Sequence, residues 1–140
     1  MNPLISVPVR VRFYDVDLTG TVFFTNHLKW FDAVAFPEFC KKAGMDWPSL
    51  VQQGIDVAMV HLSFDYKAPL FLDDVIQVSL TGISLGQSSM EINGAIHRED
   101  TLIGTGRIIY AFVDFNSRKS IPVPQAVREK VEAAKTFTRK

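Results

Sequence analysis

Two carboxylates stand close together in the segment Asp15-Val16-Asp17-Leu18-Thr19-Gly20-Thr21, just ahead of a helical pattern that begins near Thr25. A carboxylate at such a place can attack an acyl carbonyl carbon, or take a proton from a water that does. The start of the following helix offers free backbone N–H groups and partial positive charge, which is what the resulting oxyanion needs. Asp17 lies seven residues before Phe24, and Gly20 lets the loop fold back so that both reach one mouth. Taken by themselves, Asp15 and Asp17 read more readily as turn or capping residues than as catalytic ones.

Other reactive side chains are sparse. His27 falls in the first helical turn, where it is a partly buried, hydrogen-bonded imidazole or a wall of an acyl pocket. Asp32 sits in a mostly apolar helix and must find donors, either structurally or on a polar substituent of a ligand. Cys40 shares the apolar stripe and reads as a small hydrophobe. His61 and His97 fall in strands without evident partners, and no two of the three histidines have metal-ligand spacing.

Composition narrows the classes. The chain has 140 residues, 47% of them hydrophobic and 21% charged, which suits one globular domain spanning 1–140. Fifteen basic and fifteen acidic residues cancel, against the basic excess expected of a nucleic-acid domain. The single cysteine permits no internal disulfide and points to a reducing, cytoplasmic setting. No apolar run is long enough to span a membrane, and Met1–Pro8 has no basic start or apolar core of a secretory signal.

The elements that must position the loop follow from periodicity. Val9, Val11 and Phe13 alternate with Arg10, Arg12 and Tyr14, so a first strand is expected there. From Thr25 to Lys42 the apolar residues Leu28, Phe31, Ala35, Phe39 and Cys40 form a helical stripe. Thr25 or Asn26 would cap that helix, Gly44 would end it, and Pro37 should kink its last turns. Strands are expected over 56–66, near 76–81, near 89–96 and from Leu102 to Phe115, with a short polar helix over 124–135 and a ragged tail beyond. One helix this apolar cannot stay on a surface, so an antiparallel sheet of five or six strands must wrap it. The sheet's exposed edge would be covered by a second copy, giving a homodimer or homotetramer.

The run Phe13-Tyr14-Asp15-Val16-Asp17-Leu18-Thr19-Gly20-Thr21-Val22-Phe23-Phe24-Thr25-Asn26-His27 closely resembles the opening signature of the 4-hydroxybenzoyl-CoA thioesterase family. The likeness continues through Trp30, Asp32 and Ala33, Trp47, and Asp73-Asp74-Val75, covering nearly the whole chain. It implies an α+β hotdog fold, the sheet wrapped around one long central helix, and hydrolysis of an acyl-CoA thioester without metal or organic cofactor. It also implies roles for particular residues. Asp17 would be nucleophile or general base and the Phe24 backbone N–H the oxyanion donor. Trp47 would touch the thioester ligand, the strand at Ala58, Met59 and Val60 would pair with the pantetheine arm, and His27 and Asp32 would meet the acyl group.

The chain departs from the family pattern in the turn Leu85-Gly86-Gln87-Ser88-Ser89, where Ser88 replaces a lysine of the cluster that meets the CoA phosphates. Either Arg98, Arg107, Arg118 or Lys119 substitutes, or the carrier is an acyl-carrier protein. Two other functions fit the pattern. A hotdog hydratase or dehydratase would need a His–carboxylate pair, for which His27 and Asp32 are the only candidates, and an acyl-thioester binding protein would keep the pocket without activity.

Overall fold

The computed structural model describes residues 2–138, with side chains through Lys135. In chain order come β1 (Ile5–Arg10), a 3-10 turn (Phe13–Asp15), and a helical rod in three successive stretches: α1 (Asn26–Trp30), a π-helical turn (Phe31–Ala35) and α2 (Phe36–Ala43). Then follow α3 (Trp47–Gln52), β2 (Ile55–Tyr66), β3 (Val75–Leu85), β4 (Ser89–Arg98), β5 (Thr101–Asp114) and α4 (Gln125–Thr138). The five strands form one antiparallel sheet in the order β1-β3-β4-β5-β2.

The rod buries Phe31, Ala35, Phe36, Phe39 and Cys40 against the inner face of this sheet, where Ile76, Val78, Leu80, Ile92, Ile108 and Phe112 stand. Phe31 crosses the sheet at a place stripped of side chains. Gly94 and Gly106 are cross-strand partners, and a Cβ on either would lie 2.4 Å from the Phe31 ring. Helix α4 packs against α2 and β3 and buries Val127, Val131 and Ala134, at the four-and-three spacing of one helical face.

Several local expectations are corrected. The first strand runs over Ile5–Arg10, not on to Tyr14. Past Val11 the chain turns instead, because the Asp15 carboxylate accepts the Arg12 N–H at 2.8 Å and closes the 3-10 turn. That leaves Phe13 and Tyr14 about four-fifths exposed. Pro37 causes no kink in the last turns. The irregularity lies just before it, where the Phe36 N–H donates to the Phe31 carbonyl across a five-residue turn and Pro37 falls in the first turn of α2. Helix α3 was not anticipated, although Asp46 caps it through the Ser49 N–H and Pro48 occupies its first turn. Helix α4 extends to Thr138, so the expected tail narrows to residues outside those described. Among the described residues no helix is long and apolar enough to cross a membrane, and no group of three or more ligating side chains could hold a metal ion.

Candidate active site

The loop between the 3-10 turn and the rod is held by its own polar groups. Asp17 Oδ1 accepts from the Thr19 N–H at 2.8 Å and the Thr19 hydroxyl at 2.5 Å, and the Thr19 and Thr21 hydroxyls meet at 2.9 Å. Gly20, at φ +84°, makes the turn that returns the chain to Thr21, whose carbonyl accepts the Asp17 N–H at 2.9 Å. The Thr19 hydrogen bonds, side chain first and then backbone, hold the Asp17 carboxyl below its usual range despite its exposure. Asp17 therefore stays ionised.

Asp17 opens onto a hollow of about 640 Å³ lined by Phe13, Tyr14, Val16, Leu18, Gly20 and Leu72. Phe24 lines a different cleft of about 360 Å³, together with Thr21, Val22, His27, Tyr66 and the segment 67–70. The expectation that both reach one mouth is thus corrected for a single copy of the chain. The Asp17–Thr19–Thr21 hydroxyl chain runs from one hollow to the wall of the other.

Asp15 is structural. It is 2% exposed, accepts the Arg12 N–H through Oδ2, and faces Lys29 Nζ at 3.5 Å through Oδ1. Its carbonyl oxygen collects the Phe23 N–H at 2.9 Å and Asn26 Nδ2 at 2.8 Å. The capping expectation fails here. Thr25 makes no side-chain cap, and Asn26 spends its amide on anchoring the loop behind it.

At the helix start two peptide units are held by their carbonyls. The Phe23 carbonyl accepts the Asn26 N–H at 2.9 Å. The Phe24 carbonyl accepts both His27 Nδ1–H, at 3.2 Å, and the Tyr66 hydroxyl. Among the described residues, the N–H groups of Phe24 and Thr25 donate to no protein acceptor. His27 is 3% exposed and packed among the rings of Trp30, Phe64 and Tyr66. Burial lowers its pKa, partly offset by the bond to the Phe24 carbonyl. The ring is a satisfied imidazole, and it also lines the 360 Å³ cleft.

Asp32 finds its donor in the Tyr110 hydroxyl, 2.5 Å from Oδ1. Burial, with the Asp32 hydrogen bond second, raises the Tyr110 pKa strongly, so the phenol keeps its proton. His27 turns toward Phe24 and Asp32 toward Tyr110, so the structure gives them separate partners instead of joining them as an acid–base pair. Trp47 packs on Phe36 and Phe112, and its indole N–H reaches Cys40 Sγ at 3.3 Å, so the N–H faces the core and not the rim. Cys40 is buried with its thiol pushed up to about 11 by that burial, a state that suits a core residue and no nucleophile.

A family model described as the thioesterase-like superfamily matches residues 11–131. The chain belongs to this superfamily. It is 27% identical over 138 residues to a 1,4-dihydroxy-2-naphthoyl-CoA hydrolase of Synechococcus sp. (strain CC9605), covering 94% of this chain and 92% of that protein. Among solved structures, it superposes on a gentisyl-coenzyme A thioesterase with a TM-score of 0.79 at 25% identity, covering 91% of this chain and 99% of that one. A hypothetical protein from Aquifex aeolicus gives a TM-score of 0.81 at 25% identity, over 91% and 98% of the two chains. The fold is the hotdog, with five strands in its sheet.

In this thioesterase-like chain the remaining expected residues lie on the far end of the sheet. Ala58, Met59 and Val60 are on β2, the sheet's outer strand, with Val60 at a bulge between the pairs Met59–Tyr110 and His61–Ile109. Ser88 is half-buried in the β3–β4 turn, and its carbonyl accepts the Phe112 N–H at 2.8 Å. Of the cations considered as replacements for a lysine there, Arg98, Arg107 and Arg118 hold Asp74, Glu91 and Asp56 at 2.9, 2.9 and 2.7 Å. The cation actually at this turn was missed. Arg128, on α4, donates to the Gly86 carbonyl at 2.8 Å. Its position in a polar helix gave no sequence signal, since only the packing of α4 brings it to the turn.

Proposed function

We propose that this chain hydrolyses an acyl-CoA thioester, the reading carried by the superfamily match over residues 11–131. Asp17 is the proposed nucleophile or general base. As nucleophile it attacks the thioester carbonyl, expels the thiolate and forms a mixed anhydride that water then cleaves; as base it deprotonates the attacking water. The lowered pKa keeps the carboxyl ionised, which both routes require, while making it a weaker base. The Phe24 N–H is the proposed oxyanion donor, and its freedom from protein acceptors supports this role. An aromatic acyl group is favoured by the largely apolar walls of the 360 Å³ cleft and by the two relatives, which are named for aromatic acyl-CoA substrates. The proposed chemistry uses no metal or organic cofactor.

His27 and Asp32 are proposed to meet the acyl group, Trp47 the ligand's edge, and Ala58, Met59 and Val60 the pantetheine arm. Ser88 and Arg128 are proposed to flank the nucleotide end, which favours CoA over an acyl-carrier protein because a phosphate needs a cation at that turn. The working form is proposed to be a homodimer, or a homotetramer built from it. Its support is the unpaired edge of the twelve-residue β2 and the exposed apolar side chains of Phe13, Tyr14 and Leu18 beside Asp17. The lone Cys40 suits a reducing compartment, the cytoplasm.

The test is thiol release from a panel of aromatic and aliphatic acyl-CoAs and an acyl-carrier-protein thioester. Turnover of an aryl-CoA, lost by orders of magnitude in Asp17→Asn with the fold intact, is expected. Ligand-induced stabilisation without thiol release would overturn hydrolysis and leave a binding protein.

A further inference from the structure

The carbonyl of Phe24 receives two donors, the Tyr66 hydroxyl from the end of β2 and the His27 ring from the first turn of the helix. A trans peptide unit is planar, so holding a carbonyl oxygen fixes the N–H on the opposite side of the same unit. The Phe24 carbonyl shares its unit with the Thr25 N–H, and the Phe23 carbonyl shares its unit with the Phe24 N–H. Asn26 holds the Phe23 carbonyl at 2.9 Å, while Tyr66 and His27 hold that of Phe24. Two consecutive peptides are thereby pinned from behind, and their two N–H groups remain unspent. Donors already aimed before a charge develops are the ones that stabilise it, because no reorganisation is needed at the moment of reaction.

Polarisation adds to orientation. A carbonyl that accepts two hydrogen bonds pulls density through the amide and makes the N–H of the same unit a stronger donor. Tyr66 reaches Phe24 from forty-two residues away in sequence, and it bridges β2 to the helix start across the cleft both residues line. His27 belongs to the helix itself. Tyr66 is therefore the group that ties the sheet to the helix start.

Resting on the thioesterase reading, we propose that Tyr66 is a positioning residue for the oxyanion site, its hydroxyl holding the Phe24–Thr25 peptide so that the Thr25 amide stays directed and polarised beside the Phe24 amide, whose own peptide unit Asn26 holds. Tyr66 itself touches no reacting atom in this role. Removing its hydroxyl should therefore slow the chemical step and leave substrate binding in place.

Tyr66→Phe tests this on the full chain, since it removes one oxygen and keeps the ring against His27 and Phe64. The expected result is a kcat lowered about tenfold, less than for deletion of a direct oxyanion donor, with KM and melting temperature nearly unchanged. The Phe24 carbonyl carbon should also shift upfield in the NMR spectrum, and the Thr25 amide nitrogen should move with it. An unchanged kcat, or a KM that rises with kcat unaltered, overturns the positioning role. Unmoved Phe24 and Thr25 resonances overturn the clamp itself, whatever the activity. Should the unmodified chain hydrolyse no acyl-CoA, the thioesterase reading fails and the role falls with it, while the resonances still report whether the clamp exists.

Discussion

Phe31 occupies the space that a side chain at Gly94 would need: a Cβ there would stand 2.4 Å from the ring and 2.8 Å from the Ser79 carbonyl oxygen. The same ring excludes a side chain at the paired Gly106. The bare patch lets the rod approach the sheet closely, and neither neighbour is a flexible side-chain end that could move aside cheaply.

Gly94→Ala should accordingly destabilise the fold by roughly 1–3 kcal/mol, the usual cost of overpacking a filled core. Urea unfolding measures it. A variant that also shortens the ring, Phe31→Leu with Gly94→Ala, should recover part of the loss, because the two sites share one volume.

Thr19→Val removes the hydroxyl that does most to hold the Asp17 carboxyl low. A carboxylate is needed on either proposed route, so activity falls as pH drops through its pKa. The acidic limb of kcat/KM should move upward in pH in this variant, toward the ordinary aspartate value of about 3.9, with the plateau largely kept. A pH–rate profile checks it.

His27 carries a pKa lowered by burial, so the folded state binds fewer protons than the unfolded chain near its ordinary pKa of about 6.5. Stability contributed at this site is full above that value and is lost as pH falls from it toward the folded pKa. His27→Asn keeps an N–H near the Nδ1 position and removes the titration. Denaturant unfolding at several pH values should show a shallower loss on acidification for this variant than for the native chain.

Tyr110→Phe deprives Asp32 of its phenol donor. Water reaches the exposed Asp32 and can replace the lost donor, so the loss should stay at about 1 kcal/mol, and thermal melting reads it. With the carboxylate released, selectivity among aryl-CoAs bearing hydroxyl groups should change if Asp32 meets the acyl group, which competition assays measure.

The strong periodic signals carried much of the fold. The stripe Leu28–Cys40 marked the rod, and alternation with turn residues marked the hairpins that became β3, β4 and β5. The β1 boundary escaped because Val11 and Phe13 continue a strand pattern, while the Asp15–Arg12 bond that ends it is a side-chain event. At the site, the residue types around Asp17 and Phe24 were legible, but their placement in two hollows depends on how the loop folds over β3 and the segment 67–72. Tyr66 and Arg128 left no local mark. Each acts on a backbone carbonyl forty-two residues away, and only the packed sheet and α4 bring them there.

The widened turn at Phe31–Ala35 also sets what the rod tolerates along its length. It holds one residue more than an α-helical turn, so losing a single residue there would restore regular pitch with little rotation of what lies beyond, whereas a loss elsewhere in the rod would turn everything beyond it by about 100°. A loss at Pro37 or Glu38, in the regular α2, would swing Phe39 and Cys40 off the sheet, whereas a deletion in the polar tip of a hairpin would displace no core residue. Length variation in this fold should therefore gather in its hairpin turns and at this widened turn, and leave the interval between Pro37 and Ala43 constant.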